Sequence, residues 1–204
     1  MSTRRKTDSC SSWDNAECEG TPHCPPRCPR FTDGRGVPSL VRPYRATDFE
    51  ALAAMYEEFD ESVSTMGLPP LTRSRIEDWL ATLTADGWNL VALSGDRLVG
   101  HLAVTPASAV EPEFVVFVHT DFQNRGIGTE LLEQLVAYAD AGGHESLRLT
   151  VAIDNRRAIT VYENVGFETI DRSGLSAEMC LPLESPLVDR VRQPPADRYR
   201  RSHS

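Results

Sequence analysis

A five-residue apolar run, Phe114 to Val118, is followed by His119-Thr-Asp-Phe-Gln-Asn-Arg-Gly-Ile-Gly-Thr129, and residues Ile127, Leu131, Leu132, Leu135, Val136 and Ala139 then recur at helical spacing. A strand with both faces buried thus delivers a glycine-rich turn to the start of a helix. Such a turn aims unpaired backbone N–H groups and the positive end of a helix dipole at one point, an anion site suited to a pyrophosphate. The spacing excludes two familiar phosphate loops. A Walker loop ends in Gly-Lys-Ser/Thr, and this chain has no lysine after Lys6; the dinucleotide fingerprint puts a third glycine where Leu131 stands.

Around this feature the chain reads as one domain with two tails. Residues 1–36 hold Ser, Pro, Gly, Asp and Arg with four cysteines and few aliphatics, too little to bury a core alone. Residues 185–204 are rich in Arg and Pro and read as a disordered tail. Between them, residues 37–184 alternate strands and helices. Ser39 to Arg45 reads as an edge strand, and Thr47-x-x-Glu50 as a capping box opening a helix to Asp60. A loop from Ser62 to Leu71 and a second capping box, Ser74-x-x-Glu77, precede a helix ending near Leu83. Apolar runs at 89–94 and 98–105 form a hairpin, and 113–118 a buried strand. The glycine turn opens the helix 129–140; a strand (146–153), a helix (155–165) stopped by Gly166, and a closing hairpin (167–171 with 175–183) complete the order.

Gln123, Gly126 and Gly128 match Gln/Arg-x-x-Gly-x-Gly/Ala, and Asn155, Ala158, Tyr162, Gly166 and Phe167 match Asn-x-x-Ala-x-x-x-Tyr followed by Gly-Phe. With one helix and one strand between them, these elements resemble the GNAT superfamily of acyl-CoA-dependent N-acetyltransferases, over roughly Ser39 to Leu183. The resemblance implies an α/β (α+β) fold: a mixed, mostly antiparallel central sheet with helices on both faces, here carrying a Cys-rich N-terminal extension. It implies acetyl-CoA as co-substrate and a primary amine as acceptor, either a small molecule or a protein lysine or N-terminus. The pantetheine arm would lie along Val116, Phe117 and Val118, and the pyrophosphate on Gln123, Asn124, Arg125, Gly126, Ile127, Gly128 and Thr129. Asn155 would cap its helix and meet the cofactor arm.

The reaction sets further demands. An alkylammonium of pKa near 10.4 costs about 4 to 5 kcal/mol to deprotonate at pH 7, so a general base or a desolvating pocket must help. Tyr162, on one helical face with Ala158, is the candidate acid for the leaving thiolate; it also reads as an ordinary core aromatic. Glu113, opening the buried strand, is the first candidate base, acting through water, because burial raises a carboxyl pKa. His119, titrating near neutrality, is the second and Glu111 the third. His101 reads as a satisfied structural histidine.

Cys10, Cys18, Cys24 and Cys28 fall within nineteen residues. In a reducing compartment such a group reads as a zinc or iron–sulfur ligand set, or as incidental thiols in a tail. The N-terminus has bases but no apolar stretch after them, so a cytoplasmic protein is expected. No apolar run approaches the roughly 18 residues of a membrane span. The net charge is −9, and residues 37–184 alone hold 10 bases and 23 acids. That balance repels nucleic acid and favours a cationic acceptor. With Lys6 the sole lysine, the composition resembles that of salt-adapted microbial proteins. Monomer and homodimer both remain open, as does a second class of function: a non-catalytic acyl-CoA-sensing module that docks a partner through its Cys-rich front.

Overall fold

The computed structural model describes residues 17–59, 72–85, 87–106, 108–109, 112–184 and 186–202. In chain order these form β1 (Arg30–Thr32), β2 (Pro38–Pro43), a 3-10 turn (Ala46–Asp48), α1 (Phe49–Glu57), α2 (Arg73–Ala85), β3 (Trp88–Ser94), β4 (Arg97–Thr105) and β5 (Glu113–Val118). A second 3-10 turn (Thr120–Phe122), α3 (Ile127–Ala141), β6 (Ser146–Ala152), α4 (Arg156–Val165), β7 (Glu168–Ser173), β8 (Ser176–Pro182), α5 (Pro186–Val191) and α6 (Pro195–Ser202) follow. The strands make one sheet in the order β1-β2-β3-β4-β5-β6-β8-β7. Every neighbouring pair is antiparallel except β5 and β6.

Alternation along the strands gives the sheet two apolar faces. On one, Val91, Leu98 and Phe117 pack with Leu52, Met55 and Tyr56 of α1 and Ile76 and Leu80 of α2. On the other, Leu90, Leu102 and Phe114 join Leu147, Leu149 and Val151 under α3, which buries Ile127, Leu131, Leu132, Leu135, Val136 and Ala139. Each fully buried leucine contributes roughly 1.5–3 kcal/mol, so the helical stripe read from the sequence anchors α3 across the sheet. The mixed, mostly antiparallel sheet with helices on both faces is as expected. Among the described residues no helix is long and apolar enough to cross a membrane.

His101 lies fully buried on β4, and its hydrogen bonds are complete. Nδ1 accepts from the Tyr56 hydroxyl at 2.7 Å, and Nε2–H donates to Asn89 Oδ1 at 2.9 Å. Asn89 in turn donates to the Leu83 carbonyl at 3.0 Å. Burial pushes the imidazole pKa down to about 3, which keeps the ring neutral. This is the structural histidine that the sequence suggested.

Several boundaries differ from the sequence reading. The first helix lacks the capping box of Thr47 and Glu50: Asp48 precedes it without a side-chain cap and closes the 3-10 turn instead, its Oδ2 accepting from Arg45 N–H at 2.8 Å while Arg42 grips both its oxygens at 2.6 and 2.8 Å. That guanidinium holds the Asp48 carboxyl below its usual range. The strand at 38–43 is not an edge, because β1 pairs with it through Arg30↔Leu40 and Thr32↔Pro38. The boundary at residue 36 therefore falls inside the folded body. The disordered tail expected at 185–204 is corrected as well: α5 and α6 fold back, burying Val188, Val191 and Ala196. Ala196 N–H donates to the Cys18 carbonyl at 3.0 Å, so the first and last described segments meet.

Candidate active site

β5 and β6 share a single ladder pair, Glu113↔Arg148, and diverge from it. β4 follows β5 along its whole length and β8 follows β6, so the gap opens between two intact half-sheets. The cleft measures about 740 Å³ and runs between Phe114–Val118 on one side and Leu149–Ala152 on the other, reaching α4 and the turn before α3. This explains one departure from the sequence: Val115, Val116 and Val118 are only half-buried, because the strand read as buried on both faces borders the cleft.

Hydrogen-bond alternation makes the cleft walls polar at the backbone. His119 N–H donates to the Val99 carbonyl at 2.9 Å, so Phe117 and Val115 also pair with β4. The amides of Val116 and Val118 consequently face the cleft. Across it, Ile153 N–H donates to Leu175 at 3.0 Å, which turns residues 149 and 151 to β8 and leaves Thr150 and Ala152 facing back. An extended chain carrying amides fits between these edges as a missing strand.

At one end of the cleft stands the glycine turn. Gly126, the residue before α3, has φ +80°, a left-handed conformation that favours glycine. Gly128 is different: a Cβ there would meet only Val118 Cγ2 at an ordinary 3.6 Å. The protein itself does not require a glycine at 128, so the missing side chain leaves room for a ligand. The first amides of α3, at Ile127, Gly128 and Thr129, have no helical partner and converge on this space. Gln123 braces the turn: its Nε2 donates to the Val118 carbonyl at 3.0 Å, and its Oε1 accepts from Arg157 Nη1 at 2.8 Å.

Tyr162 and Asn155 border the same space from α4. Asn155 caps the helix, accepting from Ala158 N–H at 3.1 Å. The Tyr162 ring packs edge-on against Phe114 and Phe167, with centroids 6.2 and 5.9 Å away. Burial pushes its phenol up to about 12, so it holds its proton at neutral pH and serves as a donor. No hydrogen bond ties that hydroxyl among the described residues.

The structure brings Val116, Phe117, Val118, Gln123, Asn124, Gly126, Ile127, Gly128, Thr129, Asn155 and Tyr162 around one cleft. It does not bring the other candidates there. Arg125 turns its side chain away, stacking on Phe122 at 4.4 Å and donating to the Asp121 carbonyl at 2.6 Å. Glu113 is exposed and absent from the cleft walls, because it sits at the ladder pair where the strands still touch. The burial expected of it does not occur. His119 is buried, but behind β5: Nδ1 accepts from Asp121 N–H at 3.2 Å, and Nε2 contacts Glu58 at 2.8 Å. Glu111 and the loop 62–71 lie outside the described residues, as does Cys10.

Metal ligation by Cys10, Cys18, Cys24 and Cys28 finds no support: among the described residues no three His, Cys, Asp or Glu side chains gather to hold a metal. Cys24 instead closes a turn with Thr21, whose N–H lies 3.3 Å from its sulfur, while the Cys28 carbonyl accepts from Gln134 at 2.7 Å. Sequence reasoning missed Arg157. Among the described residues it is the one charged side chain lining the cleft, and its place between Asn155 and Ala158 was a usable signal in a chain without nearby lysines.

Residues 40–168 match the family model described as Acetyltransferase (GNAT) domain. An uncharacterized N-acetyltransferase from Methanocaldococcus jannaschii is 34% identical over 97 residues, 44% of this chain and 42% of that protein. The L-amino acid N-acetyltransferase AaaT of Escherichia coli is 25% identical over 134 residues, 63% of this chain and 82% of that one. The chain thus spans less than half of the first relative and most of the second. Among solved structures, the GNAT domain of S. lividans PAT superposes with a TM-score of 0.65 at 22% identity, covering 75% of this chain and 95% of that one.

Proposed function

The chain belongs to the GNAT acetyltransferase family, and from that premise we propose that it moves the acetyl group of acetyl-CoA to a primary amine, with Tyr162 as the general acid. The observation that carries this reading is the single cleft in which a phosphate cradle, a strand edge with free amides and a protonated phenol follow one another. The cleft fits the co-substrate: the space at Gly128 admits an anion, and the amides of Val116 and Val118 match an arm that itself carries amides. When bound, acetyl-CoA supplies the acetyl thioester.

In this assignment the α3 amides and Arg157 hold the phosphates, and β5 holds the arm in register. A backbone N–H of β5 polarises the thioester carbonyl as negative charge develops on its oxygen. Tyr162 gives its proton to the departing sulfur. Neither Glu113 nor His119 faces the cleft, so we assign the amine's deprotonation to desolvation: apolar walls such as Phe114, Val115 and Leu149 disfavour the ammonium form, and its proton leaves to water before attack.

The test is titration of acetyl-CoA into the protein, followed by thiol release with a panel of amines headed by free amino acids. Saturable binding at one site per chain with amine-dependent release supports an acetyltransferase. Binding without release under any amine favours the sensing module. For Tyr162→Phe we expect turnover to fall by about tenfold to a hundredfold with acetyl-CoA affinity within about twofold; unchanged turnover removes the acid role.

A further inference from the structure

Resting on the acetyl-CoA reading above, we infer that residues 27–34, outside the stretch matched by the family model, are a working part of the phosphate site: they hold the Gln123–Gly128 loop from behind and cancel a negative charge one turn below it.

The support is a backbone contact. Gly34 N–H donates to the Arg125 carbonyl at 2.8 Å, and a Cβ on Gly34 would stand 3.4 Å from Arg125 Cα and 3.5 Å from its carbonyl oxygen. Gly34 is itself fixed by Asp33, whose Oδ1 accepts from the amides of Arg35 and Val37 at 2.9 Å each. The second Asp33 oxygen, wholly buried, faces Arg125 Nη1 at 3.8 Å and draws that side chain off the cleft. The peptide so held lies between Asn124 at φ 59° and Gly126 at φ 80°. A left-handed conformation is disfavoured for a residue other than glycine, even for the more tolerant asparagine, and it persists where its surroundings hold it. Here the holding comes from the N-terminal segment.

The charge is that of Glu130, in the first turn of α3 and 7% exposed. Arg27, 5% exposed, reaches it with Nε to Oε1 and Nη2 to Oε2, both at 2.8 Å, and gives Nη1 to the Val191 carbonyl at 2.7 Å. Glu133 completes the ring of partners. A buried pair of this kind adds little net stability over apolar side chains of equal shape. Its effect on the ligand is direct. Glu130 sits one helical turn from the amides that receive the phosphates, and uncancelled it would repel them.

The test measures the dissociation constant of CoA and the thermal midpoint for the full chain and three variants. Gly34→Val, at an exposed glycine, is expected to weaken CoA binding about fivefold with its midpoint unchanged, because its Cβ already reaches contact with the Arg125 backbone and its two methyl groups then crowd it. Arg27→Met is expected to weaken binding about tenfold, and Arg27→Met/Glu130→Gln to return it to within about twofold of wild type, because the rescue restores the charge and not the crosslink. Wild-type affinity in Gly34→Val overturns the loop support. A double variant no tighter than Arg27→Met overturns the charge argument; should Arg27→Met not fold, a double variant tenfold weaker than wild type does the same. Wild-type protein that fails to bind CoA overturns the acetyl-CoA reading itself, an outcome distinct from variants that bind as wild type does.

Discussion

Replacing Gly128, first by alanine and then by leucine, should separate the stability of this protein from its ligand site. The added Cβ meets Val118 Cγ2 at 3.6 Å and nothing else within 4 Å, so no neighbour has to move. Residue 128 is helical, and exchanging glycine for alanine in a helix gains up to about 1 kcal/mol through the unfolded chain's entropy. For a chain of this size that raises the midpoint by roughly 2–4 °C. The family signature admits alanine at this position, and it is a longer side chain, as in Gly128→Leu, that would stand where an anion approaches the α3 amides. Loss of one charge-assisted hydrogen bond costs about 1.5–3 kcal/mol, so CoA affinity should fall at least about tenfold. Gly126→Ala is the counterpart: its φ of +80° predicts destabilisation of about 1–2 kcal/mol from strain. Thermal unfolding and calorimetric titration on the same samples read both quantities. A Gly128→Leu protein that binds CoA as the wild type does would refute the assignment of this space to a phosphate.

Two further outcomes follow from named side chains. Arg157→Gln removes the cleft's charged lining group; CoA binding should weaken about threefold to tenfold and lose part of its dependence on ionic strength, read by titration at low and high KCl. His101 governs stability in mild acid. Its folded pKa of about 3 lies below the ordinary value of 6.5, so the unfolded chain takes up a proton that the folded chain refuses, and stability is lost as the pH falls below 6.5. At pH 5 the loss is about 2 kcal/mol relative to pH 7.5. Urea unfolding should show it in the wild type and not in His101→Gln; equal losses in both would assign the effect to other groups.

The central half of the molecule was legible because its signals are local. The run Phe114–Val118, the glycines at 126 and 128 and the helical stripe from Ile127 to Ala139 each encode their own geometry, and they adjoin one another. The candidate base was not legible. Glu113 begins a strand that is otherwise wholly apolar, but its own exposure depends on where β6 parts from β5, a fact of sheet register that the strand itself does not carry. The termini failed for a related reason. Arg27 pairs with Glu130 across 103 residues, and no local pattern marks either as a partner. At the other end Val188 and Val191 join the main apolar cluster, a tertiary contact that the Arg- and Pro-rich sequence around them does not mark.

The parting of β5 from β6 also bears on how such a protein survives having a cleft through its middle. Main-chain bonding between the two half-sheets comes down to the neighbourhood of one residue pair. The apolar cluster beneath has no such seam: Leu90 and Leu102 on one side and Leu149 and Met179 on the other belong to the same packed body, with α3 lying across it as a keel. Side chains thus carry the mechanical continuity that the hydrogen-bond ladder gives up, and a slot can stand open at the centre of the sheet without dividing the domain in two.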